Sequence, residues 1–403
     1  MDDIRLAWRN VWRNTRRSAV TIAATSLALF VMIVYTGLVT GYIDGLKSNI
    51  LDLETGDAQA FAEGYRDKPS LYTTIDQPAE FADALQAAGF VVSGRLLATG
   101  LGAGEENSSG VQMIGVDVLS DAKVTSIAEH VKQGAWLQPD DEGVVLGWRL
   151  AESLNLGLGD ELVILSQGAD GSMANDVYPV RGILKGISDS VDRAGVFMTH
   201  TEFRELMVLD AGVHQMIIRV PAGAELSAAT DQANSFAPEG VKVESWRQIK
   251  PTLASMLESS EKVMVVMSVI VDLAVGIVIL NAMLMAVFER IRELGVLKAI
   301  GFTPLKILKV IYIETAIQTL VALILGVGVA LPVNLYLVST GLDLSAMGNM
   351  SIMGVAWDPI WRSTVTAETY AVPVTVLVII VALAVVYPAL RAAFIKPLDA
   401  IRD

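Results

Sequence analysis

The sequence has no cysteine and only three histidines, His130, His200 and His214. Disulfides, thiol nucleophiles and Cys-based metal sites are therefore excluded. No two histidines stand at i, i+4 spacing, and there is no H-E-x-x-H motif. There is also no G-x-x-x-x-G-K-[ST] loop and no G-x-S-x-G elbow. A phosphate-binding ATP site and the common hydrolase and zinc-protease arrangements drop out with them. No catalytic, cofactor or metal site is expected in this chain. Charge is also scarce, at 18% of residues, and basic charge scarcest, with 30 Lys and Arg against 44 Asp and Glu. An acidic chain of this kind argues against nucleic acid as a partner.

What fills the chain is apolar. Hydrophobic residues make up 53% and the mean hydropathy is +0.50. Four runs are long enough to cross a bilayer, which takes roughly 20 apolar residues. They are 19–42, 263–288, 310–337 and 370–390. The first is longer than a signal-peptide core and lacks a clean small-residue cleavage site, so it reads as a retained anchor. The segment 43–260 has the composition of a soluble domain. It carries 32 acidic residues against 15 Lys and Arg, a net charge of −17. The fold class expected is a membrane protein with four transmembrane α-helices and a large α+β extracytoplasmic domain inserted between helices 1 and 2. The domains are 1–42 (N-terminal helix and span one), 43–260 (the inserted domain, ending in a stalk helix) and 261–403 (spans two to four).

Three short segments hold most of the basic charge outside the domain. Arg5, Arg9, Arg13, Arg16 and Arg17 precede span one. Arg290, Arg292, Lys298, Lys306 and Lys309 lie between spans two and three. Arg391, Lys396 and Arg402 follow span four. The 339–369 connection has only Arg362. Four spans put the three basic segments on one side, which the positive-inside rule makes cytoplasmic. Both termini are then inside, and the acidic domain outside.

Residues 2–18 read as an amphipathic interfacial helix. Ile4, Ala7, Trp8, Val11 and Trp12 fall on one face; Arg5, Arg9, Arg13, Arg16 and Arg17 fall on the other. The inserted domain alternates strand-like and helix-like stretches, which suggests two α+β subdomains. Within the apolar runs, Asp272, Asn281 and Glu314 are the polar candidates, since an intramembrane acid is costly and a functional candidate by default. Asp272 has no Lys or Arg at its depth, and Tyr35 or Thr36 are its candidate partners. Met347, Met350 and Met353 read as apolar filler rather than a soft-metal site. Between spans two and three stands FERIRELGVLKAIG, residues 288–301. It is a dense cluster of charge, with Glu289, Arg290, Arg292, Glu293 and Lys298, and it has glycines at 295 and 301. Its apolar residues do not form one clean stripe.

Several stretches together resemble the FtsX/MacB-type permeases, the membrane subunits of type VII ABC transporters. They are GIVILNAMLMAVFERIRELGVLKAIGFTPLKIL, AWRNVWRNTRRS before span one, Glu314 at the opening of span three, and YPALRAAFIKPLDAIR. GWRLAESLNLGLGDELVIL in the inserted domain and SSEKVMVVMSVI at the entry to span two look most similar to the lipoprotein-releasing LolC/LolE-like branch. The resemblance implies a MacB-like periplasmic core domain, an inner-membrane location and a dimer with a second permease copy or paralogue. It implies that 289–301 is a coupling helix seated on a separate cytoplasmic ATPase, which holds the ATP and Mg. Glu289, Arg290, Arg292, Glu293, Gly295, Lys298 and Gly301 would make that contact. Mechanotransmission to the outer domain, and extraction of lipoproteins with a periplasmic carrier, follow from the same likeness. Efflux of a drug, peptide or lipid through an adaptor, and FtsX-like regulation of a cell-wall hydrolase, are the alternatives.

Single cysteines test the topology cleanly, because the chain has none of its own. An impermeant thiol reagent applied outside should label Asp140→Cys and Val355→Cys but not Ile4→Cys or Lys298→Cys. Labelling at 298 from outside would overturn the orientation.

Overall fold

A computed structural model describes residues 2–13, 15–343, 351–352, 355–356 and 360–394. Met347, Met350, Met353, Lys396 and Arg402 lie outside the described residues. The chain opens with α1 (Asp2–Arg13) and the long α2 (Thr15–Ile50), extended by a π-helical turn at Leu51–Thr55. Ten strands follow: β1 (Ala58–Ala62), β2 (Val91–Ala103), β3 (Ser108–Val116), β4 (Val131–Gly134), β5 (Val144–Gly147), β6 (Glu161–Gln167), β7 (Met173–Leu184), β8 (Gly195–Thr199), β9 (Gln215–Arg219) and β10 (Val241–Ser245). Short helices separate them: α3 (Pro78–Ala87), α4 (Val118–Val124), α5 (Trp148–Leu154), α6 (Asp189–Ala194), α7 (His200–Met207), α8 (Leu226–Ser235) and α9 (Trp246–Ile249). Five further helices follow, α10 (Pro251–Phe288), α11 (Ile291–Ala299), α12 (Pro304–Ser339), α13 (Ala367–Ala384) and α14 (Val386–Phe394), with two small strand pairs, Leu342–Asp343 with Ile360–Trp361 and Ser351–Ile352 with Val355–Ala356, between α12 and α13. Two compact units result, one built on the long apolar helices and one spanning Gly45–Leu257.

In the first unit, Thr15–Thr55, Pro251–Phe288, Pro304–Ser339 and Ala367–Phe394 are long and apolar enough to cross a membrane. Their shared core joins Leu29 and Ile33 of α2, Ile279 and Met283 of α10, Ala330 of α12, and Leu377 and Val381 of α13. Gly326 lets α12 come close to α2, since a Cβ there would lie 3.0 Å from the Ser26 carbonyl and from the Leu29 side chain. Asp272 is half-buried and has no hydrogen bond to Tyr35 or Thr36 among the described residues. Asn281 is exposed on α10.

The inserted domain is organised by β2. Its first half pairs with β9, and the order β10–β1–β9–β2 makes an antiparallel sheet. Its second half pairs with β3 on one side and β6 on the other. The ladder then runs β3–β8–β5–β7–β6 and returns to β2, closing a six-stranded ring. Closure removes the open edges that such strands otherwise present. The period-2 alternation of strands divides the buried residues. Val144, Leu146, Val196 and Met198 enter one core; Val145 and Phe197 enter the other. The two subdomains expected from the sequence are therefore not separate. One sheet holds both, because β2 is long enough to serve each.

His214 is fully buried beside β2. The Leu97 amide donates to its Nδ1 at 3.0 Å, and its Nε2 lies 3.0 Å from the Leu71 carbonyl. That pair of partners requires the neutral ring with the proton on Nε2. Burial pushes the His214 pKa down, and burial likewise lowers that of His200, whose Nε2 bonds the Gly94 carbonyl. In the unfolded chain both titrate near about 6.5. Below that value the unfolded state takes up protons that the folded state refuses, so stability falls with pH. The thermal midpoint of the domain in the full chain should drop between pH 7.5 and pH 5.5. A midpoint unchanged over that interval would contradict neutral His214 and His200 rings in the fold.

Candidate functional site: the α10–α11 turn and its charge network

The charged stretch between the second and third long helices folds as a turn, a short helix and a stop. α10 ends at Phe288, and Glu289 and Arg290 form the turn. Gly301 ends the stretch at φ 104°, a conformation that favours glycine. Thr303 then caps α12, its side chain accepting from the Lys306 amide, with Pro304 in the first turn. The helix proper occupies Ile291–Ala299, shorter than the 289–301 expected from the sequence.

One side of α11 is fastened to its own chain. Leu294 is buried and Leu297 partly so, against Ile307 and Ile311 of α12 and Ala389, Ala392 and Ala393 of α14. The Lys298 ammonium donates to the Ala393 carbonyl at 2.6 Å, at the C-terminal end of α14 where a cation is favoured. Gly295 is buried as well. Arg290 is the deepest attachment. Its guanidinium bonds Glu314 of α12, and its Nε donates to Glu293 at 3.2 Å. Arg17 of α2 donates to the other Glu314 oxygen at 3.3 Å. Arg13 of α1 reaches Glu293 at 3.0 Å. The side chains of Arg17, Glu314 and Arg290 are all more than nine-tenths buried. Five charges thus tie α1, α2, α11 and α12 together. For Glu293, burial acts to raise the carboxyl pKa, but the Arg290 hydrogen bond and the charges of Arg290, Arg13 and Arg17 bring it below its ordinary value.

Several sequence expectations change here. Of the residues expected to contact an ATPase, Arg290 and Gly295 are buried within their own chain, and the half-buried Lys298 is tied to the Ala393 carbonyl. Arg17 was expected on the polar face of an interfacial helix. It lies in α2 and is buried against Glu314, because a carboxylate at that depth requires a cation. Arg16 also lies in α2, exposed. α1 has three faces rather than two. Ala7 and Val11 turn inward, Arg5, Arg9 and Arg13 are exposed, and Ile4, Trp8 and Trp12 form an exposed apolar row with the indoles edge to face at 5.8 Å.

What α11 leaves open is a stripe that sequence reasoning did not isolate. Arg292, Val296 and Ile300 recur every four residues and are exposed, Val296 by 50% and Ile300 by 72%. Glu289 and Glu293 flank the stripe, and Leu305, in the first turn of α12, is exposed as well. The signal was present as the i, i+4 spacing from Arg292, but the inward-facing Leu294 and Leu297 blurred it. Among the described residues no group of metal ligands occurs. The arrangement has the character of a docking surface: apolar centre, charged rim, rigid backing.

The family models agree with both units. Residues 18–236 match the MacB-like periplasmic core domain, and residues 265–397 match the FtsX-like permease C-terminal region. The chain belongs to the FtsX/MacB-type permeases. A lipoprotein-releasing system transmembrane protein LolC from Xylella fastidiosa is 22% identical over 74% of this chain and 74% of its own length. LolC from Neisseria meningitidis is 24% identical over 60% of the chain and 59% of its own length. A macrolide export ATP-binding/permease protein MacB from Psychrobacter arcticus is 23% identical over 42% of the chain and 26% of its own length. Among solved structures, the periplasmic region of MacB from Actinobacillus actinomycetemcomitans overlays with a TM-score of 0.37 at 13% identity, covering 49% of this chain and 92% of that one. The permease family and the four apolar helices make this a multi-pass protein of the bacterial inner membrane with a periplasmic α+β domain.

The members of the buried network should not behave as independent contributors to stability. Glu314→Gln strands Arg17 and Arg290 and should destabilise by about 3–5 kcal/mol. The double variant Glu314→Gln, Arg290→Gln should lose much less than the sum of the singles. Thermal unfolding in detergent reads both, and strict additivity would show that the three groups do not interact.

Proposed function

We propose that this permease is the membrane subunit of an ABC transporter whose ATP is hydrolysed by a separate cytoplasmic ATPase docked on α11. The observation that carries the reading is the exposed Arg292–Val296–Ile300 stripe, on a helix whose other side is locked to α12 and α14. A loop serving only as a positive-inside signal needs neither the lock nor exposed apolar residues. The basic segments are cytoplasmic in this reading, as are both termini. Movement of the ATPase is delivered to α11, which cannot slide independently of Glu314. It passes through the unbroken α10, 38 residues long, towards the inserted domain. The permease works as a dimer, with a second copy or a paralogue, and α1 lies at the membrane surface with Trp8 and Trp12 at headgroup level.

The substrate reading is release of lipid-anchored proteins from the inner membrane to a periplasmic carrier. It is supported by the LolC relatives, which align over up to 74% of the chain, against 42% for the MacB relative. Export through a periplasmic adaptor is the second reading, favoured by that MacB match.

Charge reversal and polar insertion on the stripe test the docking. Arg292→Glu and Ile300→Asp should each weaken co-purification of the cognate ATPase by about tenfold or more, since truncating charged pairs at such interfaces costs about 2–5 kcal/mol. Glu244→Lys in the inserted domain is the control. The purified chain, free of ATPase, should show no nucleotide turnover. If the stripe variants bind ATPase as well as the control does, α11 is not the docking element.

A further inference from the structure

The inserted domain is strongly acidic, yet two of its lysines meet without an acidic ion-pair partner among the described residues. Lys132 sits on β4 at a bulge, where pairing with β7 shifts register between Val131 and Gln133. A bulge re-aims the side chain it carries. Lys185 follows β7, its amide donating to the His130 carbonyl at 3.1 Å. Both lysines line a cleft of about 360 Å³ between β4, the end of β7 and α5. The walls are apolar and aromatic: Ile183, Leu156 and the indole of Trp148. Lys185 Nζ stands 5.7 Å from the Trp148 ring centroid, and the Arg149 guanidinium 5.1 Å. The nearby acids are engaged elsewhere, Asp189 with Arg149 and Arg193, and Asp192 with the Trp148 Nε1 at 3.1 Å. Glu152 is the one carboxylate lining the cleft, and it makes no ion pair with either lysine.

Lys185, a second cation close by, holds the Lys132 amine below its ordinary value. An anion between them would relieve that repulsion. We propose that the cleft binds a small phosphate-bearing amphiphile, with the phosphate between Lys132 and Lys185 and a short apolar tail along Trp148, Leu156 and Ile183. A phosphate monoester brings nearly two negative charges and three acceptor oxygens, enough for both ammonium groups. The size suits a small ligand. Two converging lysines offer a point rather than a strip, and the surrounding negative charge disfavours an extended acidic protein. This inference is independent of the transport reading.

The test uses the full chain in nanodiscs of zwitterionic lipid, titrated calorimetrically with hexyl phosphate. Saturable binding is expected. The double variant Lys132→Ala, Lys185→Ala should weaken it by about tenfold or more, since both charge-assisted hydrogen bonds are lost. Glu152→Gln should tighten it, and the exposed control Lys123→Ala should leave it unchanged. Inorganic phosphate, lacking the tail, should bind at least about tenfold more weakly. Binding by the double variant equal to wild type would overturn the site. So would the absence of saturable binding, or inorganic phosphate matching hexyl phosphate.

Discussion

Glu314 is a carboxylate held ten residues into an apolar helix, and the membrane unit is arranged so that it is never alone. Arg17 comes to it from α2 and Arg290 from the turn before α11. Burying three such groups is expensive, and an interior carboxylate without its cations is worse. The network therefore acts as a condition on assembly: α2, α12 and the turn must be in register before any of the three charges can be buried. Glu293 and Arg13 extend the same chain of contacts outward to α1. The short helix that faces away from the core is thereby fixed to the helices that form it.

The inserted domain solves a different problem. It has no disulfides and a large negative charge, so its order must come from burial and strand pairing. β2 supplies both, running 13 residues and pairing with three neighbours. The buried bidentate pair Arg95–Asp121, at 2.8 and 3.1 Å, pins α4 to the middle of the same strand. His214 reads out the neighbouring amide at Leu97. A domain closed in this way is suited to move as a body, and the cleft lined by Lys132 and Lys185 stands out against its acidic composition.

Much of this was legible in the sequence because it is local. Hydropathy places four long helices where four are found, and the inserted domain alternates strands and short helices as its sequence pattern suggests. The family likeness, carried by contiguous stretches, agrees with the matched family models. What was not legible depends on distant pairing. Ring closure joins Leu101–Ala103 to Val163–Leu165. Arg17 and Glu314 are 297 positions apart, so Arg17 looked like one more headgroup arginine. The faces of α11 and α1 were misread for a related reason. A helical wheel sorts apolar from polar, but it cannot separate apolar residues that meet the chain, such as Leu294 and Ala7, from those that stay open, such as Ile300 and Trp8.

The claim that Glu314 locks the exposed helix to the membrane unit can be measured directly. Spin labels at Ile300→Cys and Val329→Cys, both exposed in a chain without other cysteines, report the distance between the end of α11 and α12. With Glu314 intact the distance distribution should be narrow, and Glu314→Gln should broaden it while α12 remains inserted. A distribution equally narrow in both proteins would show that the buried carboxylate does not hold α11 in place.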